Sequence, residues 1–243
     1  MARPVRLVVP CFNEVERLDG GAFLGYLRAH EDVGVLFVDD GSTDGTGDAL
    51  ELVAAQSGGA IEVLVLPENQ GKAGAVRQGV LHALRSDPEI VGYLDADLST
   101  PLEAMGELRQ LLDADPEVLM VMGSRVQLLG RRIERSRARH YIGRVFATVA
   151  STVLGLPVYD TQCGAKLFRV SPLTREIFQE PFLTRWMFDV ELIARLQTKA
   201  DGRRVVREHP LMQWLDVAGS KVTFTDGMRA GYDLLRIGRR YRR

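Results

Sequence analysis

Cysteine is scarce in this chain: Cys11 and Cys163 stand alone and far apart in 243 residues. Two thiols cannot staple a disulfide scaffold, so a cytoplasmic setting with reduced cysteines is expected. No apolar run approaches the roughly 18 to 20 residues that a membrane span needs. The N-terminus passes straight into the strand-like run Leu7–Pro10, without the apolar region and cleavage site of a signal peptide. The histidines His30, His82, His140 and His209 lack metal-ligand spacing. A dinucleotide fold would place Gly-x-Gly-x-x-Gly after the first strand, where this chain has Pro10-Cys-Phe-Asn13-Glu14, and there is no P-loop. Internal repeats and low-complexity linkers are missing too.

Net charge is almost nil, with 31 Lys and Arg against 32 Asp and Glu. That balance excludes a globally basic nucleic-acid binder, though not a local basic patch. The average hides an asymmetry. Arg125–Arg144 holds seven Arg and one Glu, and Arg229–Arg243 holds six Arg and one Asp, so the rest of the chain is acidic.

What is present is a 46% apolar composition, enough for a sizeable core. Short β-branched runs recur at Arg6–Pro10, Val33–Val38, Ile61–Leu66, Ile90–Leu94 and Val118–Val121. Several are apolar on both faces, as buried parallel strands are. Helical patterns lie between them at Glu16–Ala29, Asp44–Ala55, Gly71–Leu84 and Pro101–Leu112, the last with Thr100 and Glu103 spaced as a capping box. The alternation predicts an α/β single domain with a mostly parallel sheet flanked by helices. Further on, Arg131–His140 reads as a loop and Ile142–Leu156 as a helix. Ala165–Arg169 reads as a strand, Met187–Lys199 as a helix, Arg204–Leu215 as an extended segment or hairpin, and Val222–Arg243 as a final helix.

The carboxyl ends of parallel strands share one edge, where ligands bind. Glu14, Asp39, Asp40, Asp95 and Asp97 all follow predicted strands, so five carboxylates converge there. Gathered carboxylates repel unless a cation or protons neutralise them. Oxygen ligands suit Mg²⁺ or Mn²⁺, which leave positions for phosphate oxygens. Asp95-Ala96-Asp97 is the expected metal pair, against the plainer reading of Asp97 as a cap. Gly71-Lys72 at the start of a helix can offer backbone N–H groups and a cation to phosphate.

These segments resemble family 2 glycosyltransferases of the GT-A fold. The resemblance is carried by Val9-Pro10-Cys-Phe-Asn13-Glu14, Val38-Asp39-Asp40-Gly41-Ser42-Thr43-Asp44, Asn69-Gln-Gly71-Lys72-Ala-Gly74 and Asp95-Ala96-Asp97. Asp160-Thr-Gln162-Cys163-Gly164-Ala-Lys166, Arg185-Trp186-Met-Phe188-Asp189-Val-Glu191 and Gly219-Ser220-Lys221-Val222 are similar to the dolichyl-phosphate β-glucosyltransferase branch. The resemblance implies an inverting, metal-dependent glycosyltransferase with a Rossmann-like sheet. Residues 1–125 would form the nucleotide-sugar half and 126–243 the acceptor half. The donor, UDP-glucose, would meet Pro10, Asn13, Glu14, Asp39, Asp40, Gly71, Lys72, Asp95 and Ala96, with Asp40 on the uracil. Asp95 and Asp97 would hold the metal, and Arg125 and Lys72 would help neutralise the leaving diphosphate. Gln162, Lys166, Arg185, Ser220 and Lys221 would position a polyprenyl phosphate. Asp189, opening an apolar helix, would be the base for a hydroxyl acceptor, or else a first-turn carboxylate favoured by the helix dipole.

A soluble acceptor stays open as an alternative, and a nucleotidyltransferase as a remoter one. So does the oligomeric state. Arg125–Arg144 is a candidate lid over the phosphates. In the last helix, Phe224, Met228, Tyr232, Leu234, Leu235 and Tyr241 fall on one side of a helical wheel and Arg229, Arg236, Arg240 and Arg243 on another. That pattern fits a peripheral helix on the anionic cytoplasmic membrane face, or a helix packed on the domain.

Overall fold

The structure, a computed structural model, describes residues 4–134, 137–216 and 224–241, with backbone alone at 137–142 and 224–229. Ser220 and Lys221 lie outside the described residues. The elements run β1 (Val5–Cys11), α1 (Gly20–Ala29), β2 (Val33–Asp39), α2 (Thr46–Ala55), β3 (Ile61–Val65), α3 (Gly71–Ala83), β4 (Ile90–Leu94), α4 (Glu103–Ala114) and β5 (Met120–Ser124). There follow β6 (Arg132–Glu134), α5 (Arg137–Leu154), β7 (Ala165–Arg169), α6 (Pro172–Gln179), α7 (Phe188–Lys199), α8 (Gly202–Val205), β8 (Val206–Pro210), β9 (Gln213–Leu215) and α9 (Phe224–Tyr241).

Seven strands form the main sheet in the order β3-β2-β1-β4-β7-β5-β8. Pairing is parallel except at β7, which runs against both β4 and β5. The two halves of the chain therefore share one sheet, and the start of β7 joins the edge where β4 and β5 end. Each face carries its own core. Phe23, Leu50, Leu108 and Trp214 belong to one. Val76, Val80, Phe178, Phe188, Leu192, Leu234 and Ile237 belong to the other. Burying each such side chain contributes roughly 1.5 to 3 kcal/mol. Among the described residues, no helix is long and apolar enough to cross a membrane.

Several boundaries differ from the sequence reading for local reasons. Helix α1 waits until Gly20 because Glu14 to Leu18 form a turn and Asp19 caps Ala22 N at 2.9 Å. Helix α2 waits until Thr46 because Asp44 accepts from both its N–H and its hydroxyl. The Thr100–Glu103 capping box does not form, since α4 begins at Glu103 without a side-chain cap. Arg131–His140 is not a plain loop: it contains β6 and the start of α5. Arg204–Leu215 is not a hairpin, because β8 joins the main sheet beside β5 while β9 pairs with β6 in a small parallel sheet. Helix α6 has no counterpart among the helices expected from sequence; Ser171 caps it and Pro172 opens it. In α9 the apolar stripe divides: Leu234 packs inward beside Ile237, while Tyr232 and Leu235 stay exposed.

Candidate active site

The ends of β1 and β2 lie side by side, with Cys11 opposite Asp39. The two loops that follow are tied together. Asn13 N donates to Ser42 Oγ at 3.0 Å, and Asn13 Oδ1 accepts from Thr43 N at 2.9 Å. Glu14 N donates to Thr46 Oγ1 at 2.8 Å. Asp39 Oδ1 accepts from Ser42 N at 2.9 Å, bending the chain after β2. Pro10 is half-buried and paired with Val38.

Asp40, buried, accepts from Gln70 N at 2.7 Å and from Gly71 N at 2.8 Å. It thus binds the first amides of α3, where the helix dipole favours an anion. Burial raises its pKa, and the two amide bonds oppose that rise without cancelling it. A carboxylate has acceptor positions beyond these two, so the role expected for Asp40 toward a base is compatible with this geometry. Arg185, expected near the acceptor, donates to Asn69 Oδ1 at 2.9 Å and Asn69 O at 3.0 Å. It lies against Gly71 in the same loop.

Asp95 and Asp97 sit half-exposed on the turn after β4, flanking buried Ala96. Lys72 Nζ lies 2.5 Å from Asp95 Oδ1. Burial lowers the Lys72 pKa, but Asp95, Asp189 and Asp97 outweigh it and leave it raised. Asp97 Oδ1 accepts from Ser99 N at 3.0 Å, which caps the turn and leaves the second oxygen of Asp97 for a ligand. Glu14 faces the same carboxylates. Burial raises its pKa, Arg17 lowers it, and Asp97 and Asp95 raise it further. Gly164 closes the floor: Asp95 N donates to Gly164 O at 3.1 Å, and a Cβ on Gly164 would stand 1.9 Å from Asp95 Oδ2.

Beneath this edge lies a buried ionic cluster. Tyr93 and Lys166 are cross-strand partners on β4 and β7. Lys166 Nζ stands 2.6 Å from Asp189 Oδ1 and 2.6 Å from Cys163 O, and the Tyr93 hydroxyl donates to Asp189 Oδ1. Burial, then Asp189, drives the Tyr93 pKa far up. Lys166 and Asp189, expected to face acceptor, are therefore paired with each other inside the protein. Arg125 is likewise engaged: its Nε and Nη2 grip Asp160 at 2.6 and 2.8 Å, and its guanidinium lies 5.3 Å from the Trp214 ring centroid. Glu208 holds that loop by accepting from Tyr159 N and Asp160 N.

Gln162 lies on the same loop, and among the described residues its Nε2, like Thr161 Oγ1 and Glu14 Oε2, is buried without a hydrogen-bond partner. Unsatisfied buried polar atoms at one edge point to a polar ligand there. Sequence reasoning missed Tyr93, Asp160, Gly164 and Trp214 as site residues. Asp160 and Gly164 lay within quoted motifs and could have been found there; Tyr93 and Trp214 carried no signal beyond being apolar. Cys11 and Cys163 are buried, with thiols pushed up by burial, and act as packing groups.

The family model described as glycosyl transferase family 2 matches residues 7–176. A Mus musculus protein named dolichyl-phosphate beta-glucosyltransferase is 32% identical over 258 residues, covering 98% of this chain and 76% of its own. A Trichomonas vaginalis protein of the same name is 31% identical over 243 residues, covering 95% of this chain and 69% of its own. Among solved structures, glucosyl-3-phosphoglycerate synthase from Mycobacterium tuberculosis, in complex with Mn²⁺, UDP-glucose and phosphoglyceric acid, aligns with a TM-score of 0.68 at 19% identity. The alignment covers 97% of this chain and 80% of that one.

Proposed function

This chain belongs to glycosyl transferase family 2 and is a glycosyltransferase, and from that premise we propose that it moves glucose from UDP-glucose to a polyprenyl phosphate with inversion. The observation that carries the reading is the pair Asp95 and Asp97. Both are half-exposed at the strand edge beside Lys72, in a chain similar along nearly its whole length to enzymes named for that reaction.

The donor set fits a divalent ion. Asp95 and Asp97 offer hard carboxylate oxygens on one turn, and Lys72 already answers their negative charge. Among the described residues no group of three or more His, Cys, Asp or Glu forms a closed metal centre. The remaining positions would fall to phosphate oxygens and water, as Mg²⁺ and Mn²⁺ favour. When bound, the ion supplies neutralisation of the departing diphosphate.

The chain's own groups do the rest. Asp40 and the N-terminus of α3 fix the donor loop, Arg185 braces it, and Lys72 brings a cation to the diphosphate. An acceptor phosphate monoester is largely ionised near neutral pH, with a second pKa of about 6. One of its oxygens forms the bond to the anomeric carbon as the bond to the β-phosphate oxygen of UDP breaks, and UDP leaves with the electron pair. No proton need be removed, so Asp189 serves as a scaffold beneath the site and not as a base. The lipid acceptor would bring the chain to a membrane surface as a peripheral protein.

The test is product analysis with labelled UDP-glucose, Mn²⁺ and a polyprenyl phosphate. Label in the organic phase, UDP released in equal amount, and loss of both in Asp97→Asn support the reading. Label confined to water-soluble products with a three-carbon phosphate acceptor would assign a soluble acceptor instead. Release of pyrophosphate would assign nucleotidyl transfer.

A further inference from the structure

The turn after β5 is built against the usual logic of a loop. Leu128 to Arg131 form a tight turn closed by Arg131 N donating to Leu128 O at 3.1 Å, with Gly130 at φ +82°. That is the positive-φ third position of a type II turn. The residue this places at the tip is Leu129, whose side chain is fully exposed, with Leu128 about half-exposed beside it. Arg132 N donates to Met212 O at 2.9 Å, which brings the half-exposed Met212 alongside. Three large apolar side chains thus project where turn chemistry would accept polar residues at no cost.

Their surroundings are basic. Arg131 donates from Nη1 to Pro210 O, and Arg132 is exposed and pairs with Glu134. The tip is also joined to the site. It begins three residues after Arg125, β6 pairs with β9, and Leu215 N on β9 donates to Ser99 O, two residues past Asp97. Trp214, between them, lies under Arg125.

We propose that the turn at 128–131, with Met212, is a membrane-docking tip that inserts into the headgroup boundary of an anionic bilayer and seats the catalytic edge on it. Apolar side chains flanked by Arg131 and Arg132 match that interface: the leucines leave water while the two arginines meet anionic headgroups. This rests on the lipid-acceptor reading above, since only a lipid acceptor requires the strand edge to meet a bilayer.

The full chain is tested with vesicles of neutral phosphatidylcholine, with and without anionic phosphatidylglycerol. Because Cys11 and Cys163 are buried, a Leu129→Cys variant takes a polarity-sensitive dye at the tip alone. A blue shift with anionic vesicles at low salt supports insertion. The Leu128→Ser/Leu129→Ser variant should lose vesicle partitioning on the order of tenfold or more, while Tyr232→Ser/Leu235→Ser on α9 should retain it. Both tip leucines are exposed, so turnover with a short, water-soluble isoprenyl phosphate should match the parent chain. No blue shift, or undiminished co-sedimentation of the tip variant, overturns the proposal. Failure of the parent chain to use any isoprenyl phosphate overturns the proposed acceptor, whatever the vesicles show.

Discussion

Lys166 Nζ lies 2.6 Å from Asp189 Oδ1, and both side chains are buried. A buried ion pair holds only while both partners are present. Removing one leaves a bare charge in a low-dielectric interior, at a cost of about 3 to 5 kcal/mol.

Lys166→Met alone and Asp189→Asn alone should therefore each lower the denaturant midpoint sharply. The double variant should recover a large part of the loss, because no charge is then stranded. Tyr93 keeps its hydroxyl near position 189 in every case. A double-mutant cycle by urea unfolding measures the coupling. If the single losses simply add, the pair is not the scaffold described here.

Gly164 is the second sensitive point. A methyl group there would stand 1.9 Å from Asp95 Oδ2 and 2.2 Å from Asp95 Cγ, so the carboxylate must move. Gly164→Ala should reduce kcat/KM at least about tenfold, the effect of roughly 1.4 kcal/mol on the transition state. It should also raise the Mn²⁺ concentration needed for half-activity. Metal titrations of parent and variant check this; an unchanged metal requirement would mean that Asp95 tolerates displacement.

Much of this site could be read before any coordinate. The strand Ile90–Leu94 was legible to the residue, because five apolar positions buried on both faces leave little ambiguity. Asp40, Asp95 and Asp97 follow from where such strands stop. What could not be read was direction: nothing in Ala165–Arg169 says that β7 runs backwards between β4 and β5. That placement is what buries Lys166. A lysine in a motif reads as a phosphate ligand, since lysine is rarely buried without a partner, and its partner Asp189 comes from a distant helix. The bonds of Arg185 to Asn69 and Gln70 were unreadable for a related reason, because a long side chain can reach a loop that its sequence position does not name.

Glu14 gives the stability a pH dependence of definite sign. Its folded pKa is raised, by burial first and then by Asp97 and Asp95, against the pull of Arg17. A raised carboxyl binds its proton more tightly in the folded state than in the unfolded one. Its contribution is therefore fully present below the unfolded pKa and is lost as pH rises through the folded value. Glu14→Gln removes that dependence. The variant should gain on the parent as pH climbs through the mildly acidic range, then hold a constant difference. Urea midpoints for both chains from about pH 4 to about pH 8 measure it. A difference that shrinks with rising pH would reverse the sign assigned here.

Arg185 separates donor from acceptor. Its guanidinium grips Asn69 through side chain and backbone and reaches Gln70 O at 3.2 Å, bracing the loop whose amides bind Asp40. Loss of these bonds should loosen the donor loop and leave the acceptor side untouched. Each net hydrogen bond is worth about 0.5 to 1.5 kcal/mol, and these are exposed, so the lower end applies. Arg185→Ala should raise the KM for the proposed donor, UDP-glucose, roughly two- to tenfold while the KM for the acceptor stays fixed. Arg185→Lys should fall between, since an ammonium keeps the charge but not the planar fork that spans Asn69 and Gln70. Steady-state kinetics with each substrate varied in turn decides the matter. A rise confined to the acceptor KM would return Arg185 to the acceptor side, and the bonds to Asn69 would then be incidental to turnover.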